Sequence, residues 1–530
     1  MDIPSESPFR AVERKCAIPP DNQTPAGAAA ILPFIPIGAA VLFILIANVV
    51  STGFRLLLPY PMSPWEAGIV TDAWRMLHGG AVYAAGTDHA THMYGPLVTV
   101  FLAQVFRLTG PTLYAGRLAS VISAVAVVVM LVRIFGRVDS LAAITAAALL
   151  MGPNGRTLFY YTETRPDMDA LLLAALSLLL LYHGLEVPYR KPRIISILAG
   201  TALMVAAVLF KQTAAMFMLV PMLSMALGTQ FSPSRWLAAT FPVAGVLASL
   251  AAVRLFAPGL WHFMVQVPAQ YPVPALTMWS LGLEILQGLP LFVLALTNWL
   301  FSDVRDTWRR PQVRWLVAAI LCTFPACVAG YSKVGGGRNS LIPALLCMGA
   351  FCAWRAPVVF MFLRDPARPL GARIVVGAVF GLLLFEQAMP LHDWKLMFPP
   401  FRSTLSGIGI REYARTIDAA RLLSGTVICP DDPFVALKAK GYAGRTGVFE
   451  ADAVSWNFSR MGAVVKEINS ADYVILMRRG LPGVLTTDLD WGDREHWLRS
   501  SGFNRESVGP FPSPSFELWH KASQPGPSHR

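Results

Sequence analysis

The chain has 530 residues, of which 55% are hydrophobic and only 14% charged, and its net charge is +12. A soluble protein carries roughly 25% charged residues, so the composition excludes an ordinary soluble domain and points to a polytopic membrane protein. The positive balance does not by itself mean nucleic acid, because excess Lys and Arg also mark the cytoplasmic loops of membrane proteins.

Residues 1–30 are polar and contain prolines, and the first apolar run is too long for a cleavable signal. This segment is read as a cytoplasmic tail held by Arg10, Arg14 and Lys15. A membrane helix needs about 20 mostly apolar residues. Eleven spans are predicted, at about 31–58, 113–133, 139–154, 167–184, 194–210, 213–230, 236–256, 277–301, 315–331, 340–361 and 372–390. With the N-terminus inside, the cytoplasmic loops carry Arg133 and Arg137, then Arg190, Lys191 and Arg193, then Arg235. Arg305, Arg309, Arg310 and Arg314 follow, and then Arg355, Arg364, Arg368 and Arg373. The opposite loops carry isolated cations. This bias follows the positive-inside rule and accounts for the basic charge without nucleic acid. An odd number of spans places the last part of the chain outside, which in a bacterium is the periplasm. Of six cysteines, four fall in apolar runs and are read as small hydrophobes. Cys429 alone lies in the C-terminal region, so no disulfide framework is expected there.

Four outer segments carry ionisable groups, which are costly near a membrane and often functional. The loop at 59–112 holds Glu66, Asp72, Arg75, His78, Asp88, His89, His92 and Tyr94. The sequence TETRPDMDALLLAAL (162–176) puts Arg165 and Asp167 at the mouth of a span. FKQTAAM (210–216) sets Lys211 between two spans, and YSKVGGGRNSLIPAL (331–345) sets Lys333 and Arg338 around three glycines. Each group also has an ordinary role. Ser63, Pro64 and Glu66 fit a capping box. Asp72 and Arg75 are spaced to pair on one helix. Asp167 suits a helix N-terminus, and Arg165 can snorkel to headgroups. His89 and His92 form HATH, a weak metal motif with no clear third ligand. Together, though, acids in the first loop and single cations at several span mouths are what a membrane-embedded phosphate site needs.

Residues 391–530 read as a small α/β domain. Helical spacing covers 410–423 and 461–468, and 426–429, 473–476 and 515–520 read as strands. No catalytic motif stands out, and DDP at 431–433 reads as a turn.

Four stretches carry a family resemblance: WEAGIVTDAWRMLHGGAVY (65–83) with YGPLVTVFLAQVFRLTGPTLYAGRLASVISA (94–124), TRPDMDALL (164–172), KQTAAMFMLVPML (211–223) and GGRNSLIPAL (336–345). In their order and spacing they resemble the GT-C superfamily of integral membrane glycosyltransferases, above all protein O-mannosyltransferases and lipid A aminoarabinose transferases. The matching positions include Glu66, Gly80, Tyr83, Gly95, Pro96, Arg117 and Leu118. Members often carry two adjacent acids at the start of the first outer helix; here Trp65 occupies the first position and leaves Glu66 alone.

The resemblance implies a fold of about eleven transmembrane helices (31–390) with a small extracytoplasmic α/β domain. It also implies transfer of a sugar from a polyprenyl-phosphate carrier to a glycolipid, glycan or protein acceptor, at a bacterial inner membrane. On that reading Glu66 is the first choice for the base and Asp72 the second. Arg165, Lys211, Lys333 and Arg338 are the donor-phosphate ligands, and Asp167, His89 and Tyr94 are substrate contacts. One carboxylate suffices for an inverting displacement, and the scheme requires no metal or other cofactor. The alternatives are a transporter or flippase of lipid-linked sugars, which should show midplane charges or repeats, and a non-catalytic scaffold.

Overall fold

The computed structural model describes residues 28–84, 90–136, 140–157, 160–186, 193–228, 232–333, 336–388, 407–442, 444–454, 461–478, 481, 494–506 and 515–522. His89 and most of the expected N-terminal tail lie outside the described residues.

After short turns over Ala28–Phe34, α1 runs over Ile35–Leu56, α2 over Pro64–Leu77 and α3 over Pro96–Thr109. Next come α4 (Leu113–Phe135), α5 (Ser140–Arg156), α6 (Asp167–Leu185) and α7 (Ile194–Phe210). A 3-10 stretch, Gln212–Leu219, leads into α8 (Val220–Ala226), and α9 covers Phe241–Phe256. Then follow α10 (Ala275–Gln287), α11 (Pro290–Ser302), α12 (Pro311–Ser332), α13 (Ile342–Arg364) and α14 (Leu370–Ala388). Among the described residues seven helices are long and apolar enough to cross a membrane, or eight if one bent pair counts as a single span. The protein is a polytopic helical membrane protein.

Among the described residues each of the eleven predicted segments is helical over most of its length, but they are not eleven straight spans. The segment at 277–301 breaks between α10 and α11, which meet at an angle of 84°. The break lies at Gly288 and Leu289, just before Pro290. Proline has no N–H to donate backwards, so one helix stops and another begins. The segment at 213–230 starts as a tight 3-10 coil. The segment at 139–154 becomes a 17-residue helix containing Pro153. Apolarity set where these segments lie; local backbone chemistry set whether they run straight.

Helices α5 and α13 pack against each other at the centre, and α6 lies against α4 and α7. Ala146, Leu149, Leu150, Phe351 and Ala353 are buried in this core. Elsewhere large apolar side chains such as Leu42, Ile122, Leu255 and Val375 face outward, as expected of a lipid-facing surface.

Residues 407–522 form an α/β unit: α15 (Ile408–Leu422), β1 (Val427–Ile428), α16 (Pro433–Lys440), α17 (Gly447–Ala453), α18 (Gly462–Ser470), β2 (Tyr473–Met477), α19 (Arg494–Ser500), β3 (Phe503–Arg505) and β4 (Phe516–Lys521). The strands lie in the order β1-β2-β4-β3. β1 and β2 are parallel, while β4 runs antiparallel to both β2 and β3. All five residues of β2 are buried, which is why YVIL reads as a continuous apolar run. The sequence did not reveal β3, whose three residues carry too little pattern.

This unit is seated on α2. A side chain at Gly68 would place its first carbon 2.4 Å from the Phe449 ring, so the bare backbone of α2 is what admits Phe449. Arg75 donates to the Gly444 carbonyl at 3.2 Å, and the Ala90 amide donates to Glu450 at 3.1 Å.

Candidate active site

The turn from α1 into α2 is held by one buried ion pair. Ser63 is the N-cap of α2 and its hydroxyl accepts from the Glu66 amide at 3.3 Å, so half of the expected capping box is present. Glu66 does not complete the box. Its Oε1 accepts from Arg117 Nε at 2.8 Å and from the Thr164 amide at 2.9 Å. Its Oε2 accepts from Arg117 at 2.7 Å and from the Met62 amide at 2.7 Å. Arg117 also donates to the carbonyls of Arg55, Leu58 and Tyr60. Burial pushes the Glu66 carboxyl up, but Arg117 and the two amides outweigh it and hold it below the usual carboxylate range. A carboxylate with four donors and a depressed pKa is poorly suited to take a proton. The geometry makes Glu66 a clamp between three chain segments.

Asp72 lies nearly two turns further along α2 and is also buried. It pairs with Arg75 at 2.7 Å, as the i,i+3 spacing allows. Burial pushes its carboxyl up to about 6, with Arg75 and the His92 amide pulling the other way. It faces the 90–94 loop and Glu450, on the side of α2 that carries the α/β unit. His92 is buried with Nε2 2.7 Å from the Thr99 hydroxyl, and burial pushes its pKa down to about 3. It is therefore a neutral ring within the packing. Among the described residues no three His, Cys, Asp or Glu side chains form a metal-holding group.

Arg165, Lys211, Asp167 and Tyr94 come together. The chain between α5 and α6 forms a 3-10 turn at Tyr160–Thr162 and then runs, buried, to Pro166. Arg165 projects from it into a cage of three rings, 5.4 Å from Trp65, 5.7 Å from Tyr94 and 4.9 Å from Tyr160. It donates to the Tyr94 hydroxyl at 2.5 Å and lies 3.6 Å from Glu163. Its Nε is buried with no hydrogen-bond partner among the described residues. Glu163 also accepts from the Ser63 hydroxyl. Burial pushes Glu163 up to about 7, against the pull of Arg165.

Lys211 caps the end of α7 and pairs with Asp167 at the start of α6. Asn339 donates to the same Asp167 oxygen at 3.1 Å. Burial holds the Lys211 ammonium below its ordinary pKa, with Asp167 opposing. The loop that brings Tyr94 here depends on Gly95, whose amide donates to the Phe210 carbonyl at 3.2 Å. A side-chain carbon at Gly95 would fall 1.9 Å from the Leu209 carbonyl oxygen, so only glycine permits this approach.

Lys333, at the end of α12, lies 5.6 Å from the centre of the Tyr271 ring. Burial lowers its pKa, as does the charge of Lys211, while Asp452 raises it. Arg338 is half-buried at the start of the turn before α13, and that turn reaches the cluster through Asn339. Asp452, from α17 of the α/β unit, accepts from the Trp65 indole at 3.1 Å. Tyr271 donates to the Asp452 backbone carbonyl at 2.8 Å.

A cavity of about 880 Å³ lies between α4, α6, α12 and α13, walled by side chains such as Leu131, Leu172, Leu179, Leu316 and Leu346. Leu171, Phe217 and Pro343 line both this cavity and a small one bounded by Asp167, Lys211 and Asn339. Arg133, His183 and Gln312 stand at the opposite end. The ion cluster thus sits at the head of an apolar chamber.

The whole architecture has solved counterparts. The apo structure of ArnT from Cupriavidus metallidurans aligns with a TM-score of 0.53 at 11% identity, over 91% of this chain and 98% of that one. ArnT from the same organism bound to undecaprenyl phosphate aligns with a TM-score of 0.51 at 13% identity, over 92% and 99%. The chain shares the fold of these two structures. Residues 88–262 also match the family model described as dolichyl-phosphate-mannose-protein mannosyltransferase. No curated protein matches the sequence.

Within this fold, Trp65, Tyr160, Glu163, Asn339, Tyr271 and Asp452 lie in or beside the cluster, and the sequence did not single them out as site residues. Glu163 and Asn339 sit inside motifs singled out for their neighbours Arg165 and Arg338. Asp452 gave no signal, since nothing near it in the chain carries a recognisable pattern.

Proposed function

We propose that the protein is a membrane glycosyltransferase that takes a sugar from a polyprenyl-phosphate donor and passes it to an acceptor hydroxyl. The observation that carries this reading is the adjacency of the apolar chamber and the cluster of Lys211, Asp167 and Asn339, whose cavities share Leu171, Phe217 and Pro343 as a common wall. A prenyl chain suits the chamber and a phosphate suits its cationic head. Ligand pockets commonly measure about 300–1,000 Å³ and carry few, well-placed polar groups. ArnT, which shares the fold, has been solved with undecaprenyl phosphate bound.

The chemistry follows from the charges. Arg165, Lys211 and Lys333 supply cations to a departing phosphate, and Asn339 and Tyr94 add neutral hydrogen-bonding groups. Arg165 keeps a buried Nε–H for a ligand. Such preorganised donors act most strongly where water is excluded. Attack opposite the phosphate inverts the anomeric carbon and needs one base on the acceptor side. We place the reaction on the outer face of a bacterial inner membrane, with residues 391–530 on that side, as the charge bias of the loops supports.

The test is transfer by the purified protein in nanodiscs, using undecaprenyl-phosphate hexoses and pentoses with lipid, glycan and protein acceptors. Transfer that falls at least tenfold in Lys211→Ala supports the reading. Transbilayer movement of the lipid-linked sugar with no transfer would favour a flippase instead.

A further inference from the structure

Helix α10 has the apolarity of half a membrane span, yet three fixed points hold it along one face of the bundle. Before its start, Tyr271 has Lys333 5.6 Å from its ring and donates to the Asp452 carbonyl of the α/β unit. Past its end, the Gly288 carbonyl accepts from Arg156, the last residue of α5. Arg156 also donates to the carbonyls of Glu386 and Gln387 in the last turn of α14. Midway, Gly282 is buried against α12. A side-chain carbon there would lie 3.7 Å from Val328, about one turn before α12 ends at Ser332. α10 therefore lies level with the ends of α5, α12 and α14. Only α11 leaves this face. It turns 84° from α10 and packs beside α13 and α14. At its far end Asn298 and Asp303 accept from Arg355, close to the arginine-rich 305–314 segment.

The circumference of α10 divides into three sectors. Gly282, Ile285 and Leu286 face the bundle. Leu276, Trp279 and Leu283 are 85%, 72% and 56% exposed. At 3.6 residues per turn they share a strip about 60° wide. Ser280, Glu284 and Gln287 occupy the next sector, also exposed. A span surrounded by lipid has no use for the polar sector, and a helix in water has no use for the apolar strip. Both are accounted for when a helix lies along the boundary of bilayer and water, with a protein wall on its third side. Trp279 is a residue favoured at that depth. The strip also leads into the exposed Val293 and Leu294 of α11, so it is continuous with the lipid-facing surface of the bundle.

We propose that α10 is an interfacial helix, seated in the leaflet on the side of the α/β unit. Acyl chains of that leaflet cover Leu276, Trp279 and Leu283, and Ser280, Glu284 and Gln287 lie among its headgroups. In consequence, the short link from Tyr271 to α10 fixes Lys333 and the ion cluster at the depth of lipid phosphates. The proposal goes beyond the glycosyltransferase reading and does not depend on it.

The depth of Trp279 decides it. Full-length protein is placed in nanodiscs whose lipids carry bromine either close to the headgroup or near the chain end. The signal of Trp279 is the difference in fluorescence between wild type and Trp279→Phe, with thermal melting to verify that both are folded. An interfacial helix is buried by about 5–10 Å at the boundary, so bromine near the headgroup should quench this signal at least about twofold more strongly. Stronger quenching from the chain end would overturn the proposal in favour of a broken span. Absence of quenching by either lipid would also overturn it, and would leave water or a second copy of the chain on this face. A second measurement scans nitroxides over 276–287 in a chain whose six cysteines have been replaced. Oxygen should reach positions 276 and 283 best, and a water-soluble nickel complex positions 280 and 284. Uniform access of oxygen along the helix, or uniform access of nickel, would each overturn the proposal.

Discussion

Arg117 and Glu66 form a two-point ion pair in which neither side chain is exposed to solvent. Four elements meet there: the end of α1, the start of α2, the first turns of α4 and the chain before α6. Removing one partner of such a pair strands the other charge, at a cost of about 3–5 kcal/mol. Glu66→Gln is therefore expected to lower the melting temperature sharply, with transfer falling only as far as folded protein is lost. The double variant Glu66→Gln, Arg117→Met should recover part of the melting temperature. A variant as stable as wild type but without turnover would restore Glu66 as a base.

Lys211 and Asp167 offer a different contrast. Lys211→Ala removes a phosphate cation and leaves Asp167 buried without its countercharge. The combined change Lys211→Ala, Asp167→Ala removes both charges. Stability should recover in the double variant, while undecaprenyl-phosphate binding stays at least tenfold weaker, because charge-assisted contacts to an anion are the stronger kind of hydrogen bond. Recovery of binding along with stability would show that Lys211 serves folding alone.

The apolar chamber is testable by filling it. Ala175 lines it, and Ala175→Trp should block a long prenyl chain. Affinity for undecaprenyl phosphate is expected to drop at least tenfold, while a two-isoprene phosphate, needing only the head of the chamber, binds as it does to wild type. An equal loss for both lipids would mean that the bundle had been distorted.

Glu163 sets a pH dependence whose sign is defined. Burial raises its folded pKa to about 7, with Arg165 opposing and Glu66 adding to the rise. Between the ordinary carboxylate pKa and about 7 the folded state binds more protons than the unfolded state. By linkage, this group's contribution favours the fold at low pH and is lost as pH rises through that window. Compared with Glu163→Gln, the wild-type melting temperature should therefore decline as pH is raised from about 5 to about 8. Undecaprenyl-phosphate affinity should decline over the same window, since ionised Glu163 competes for Arg165. A pH-independent difference between the two proteins would refute this placement of the Glu163 titration.

Much of the architecture was legible because its signals are local. Apolar length located the spans, short continuous apolar runs located β1 and β2, and SFELWH at 515–520 located β4. Pro64 and Pro166 marked the starts of α2 and α6. Arg165, Lys211, Asp167 and Tyr94 could be named in advance because each sits at the end of an apolar run, where an ionisable group is conspicuous. The break before Pro290 was less legible, since a hydropathy window averages across it.

The roles of the acids were not legible in this way. Glu66 and Asp72 looked alike in sequence, as carboxylates after the first span. Arg117, fifty-one residues downstream of Glu66, makes one of them a structural clamp, and the α/β unit encloses the other. Asp452 meets Trp65 across 387 residues of chain. Taken alone, the amino-acid order determined which segments are apolar enough to leave water and which polar groups lie at their ends, because transfer free energy depends on the residues within one helix. Only the tertiary structure decided which carboxylate is neutralised by a buried arginine and which is enclosed by the α/β unit. A carboxylate's charge and basicity depend on the donors and cations within a few ångströms, and here those come from distant parts of the chain.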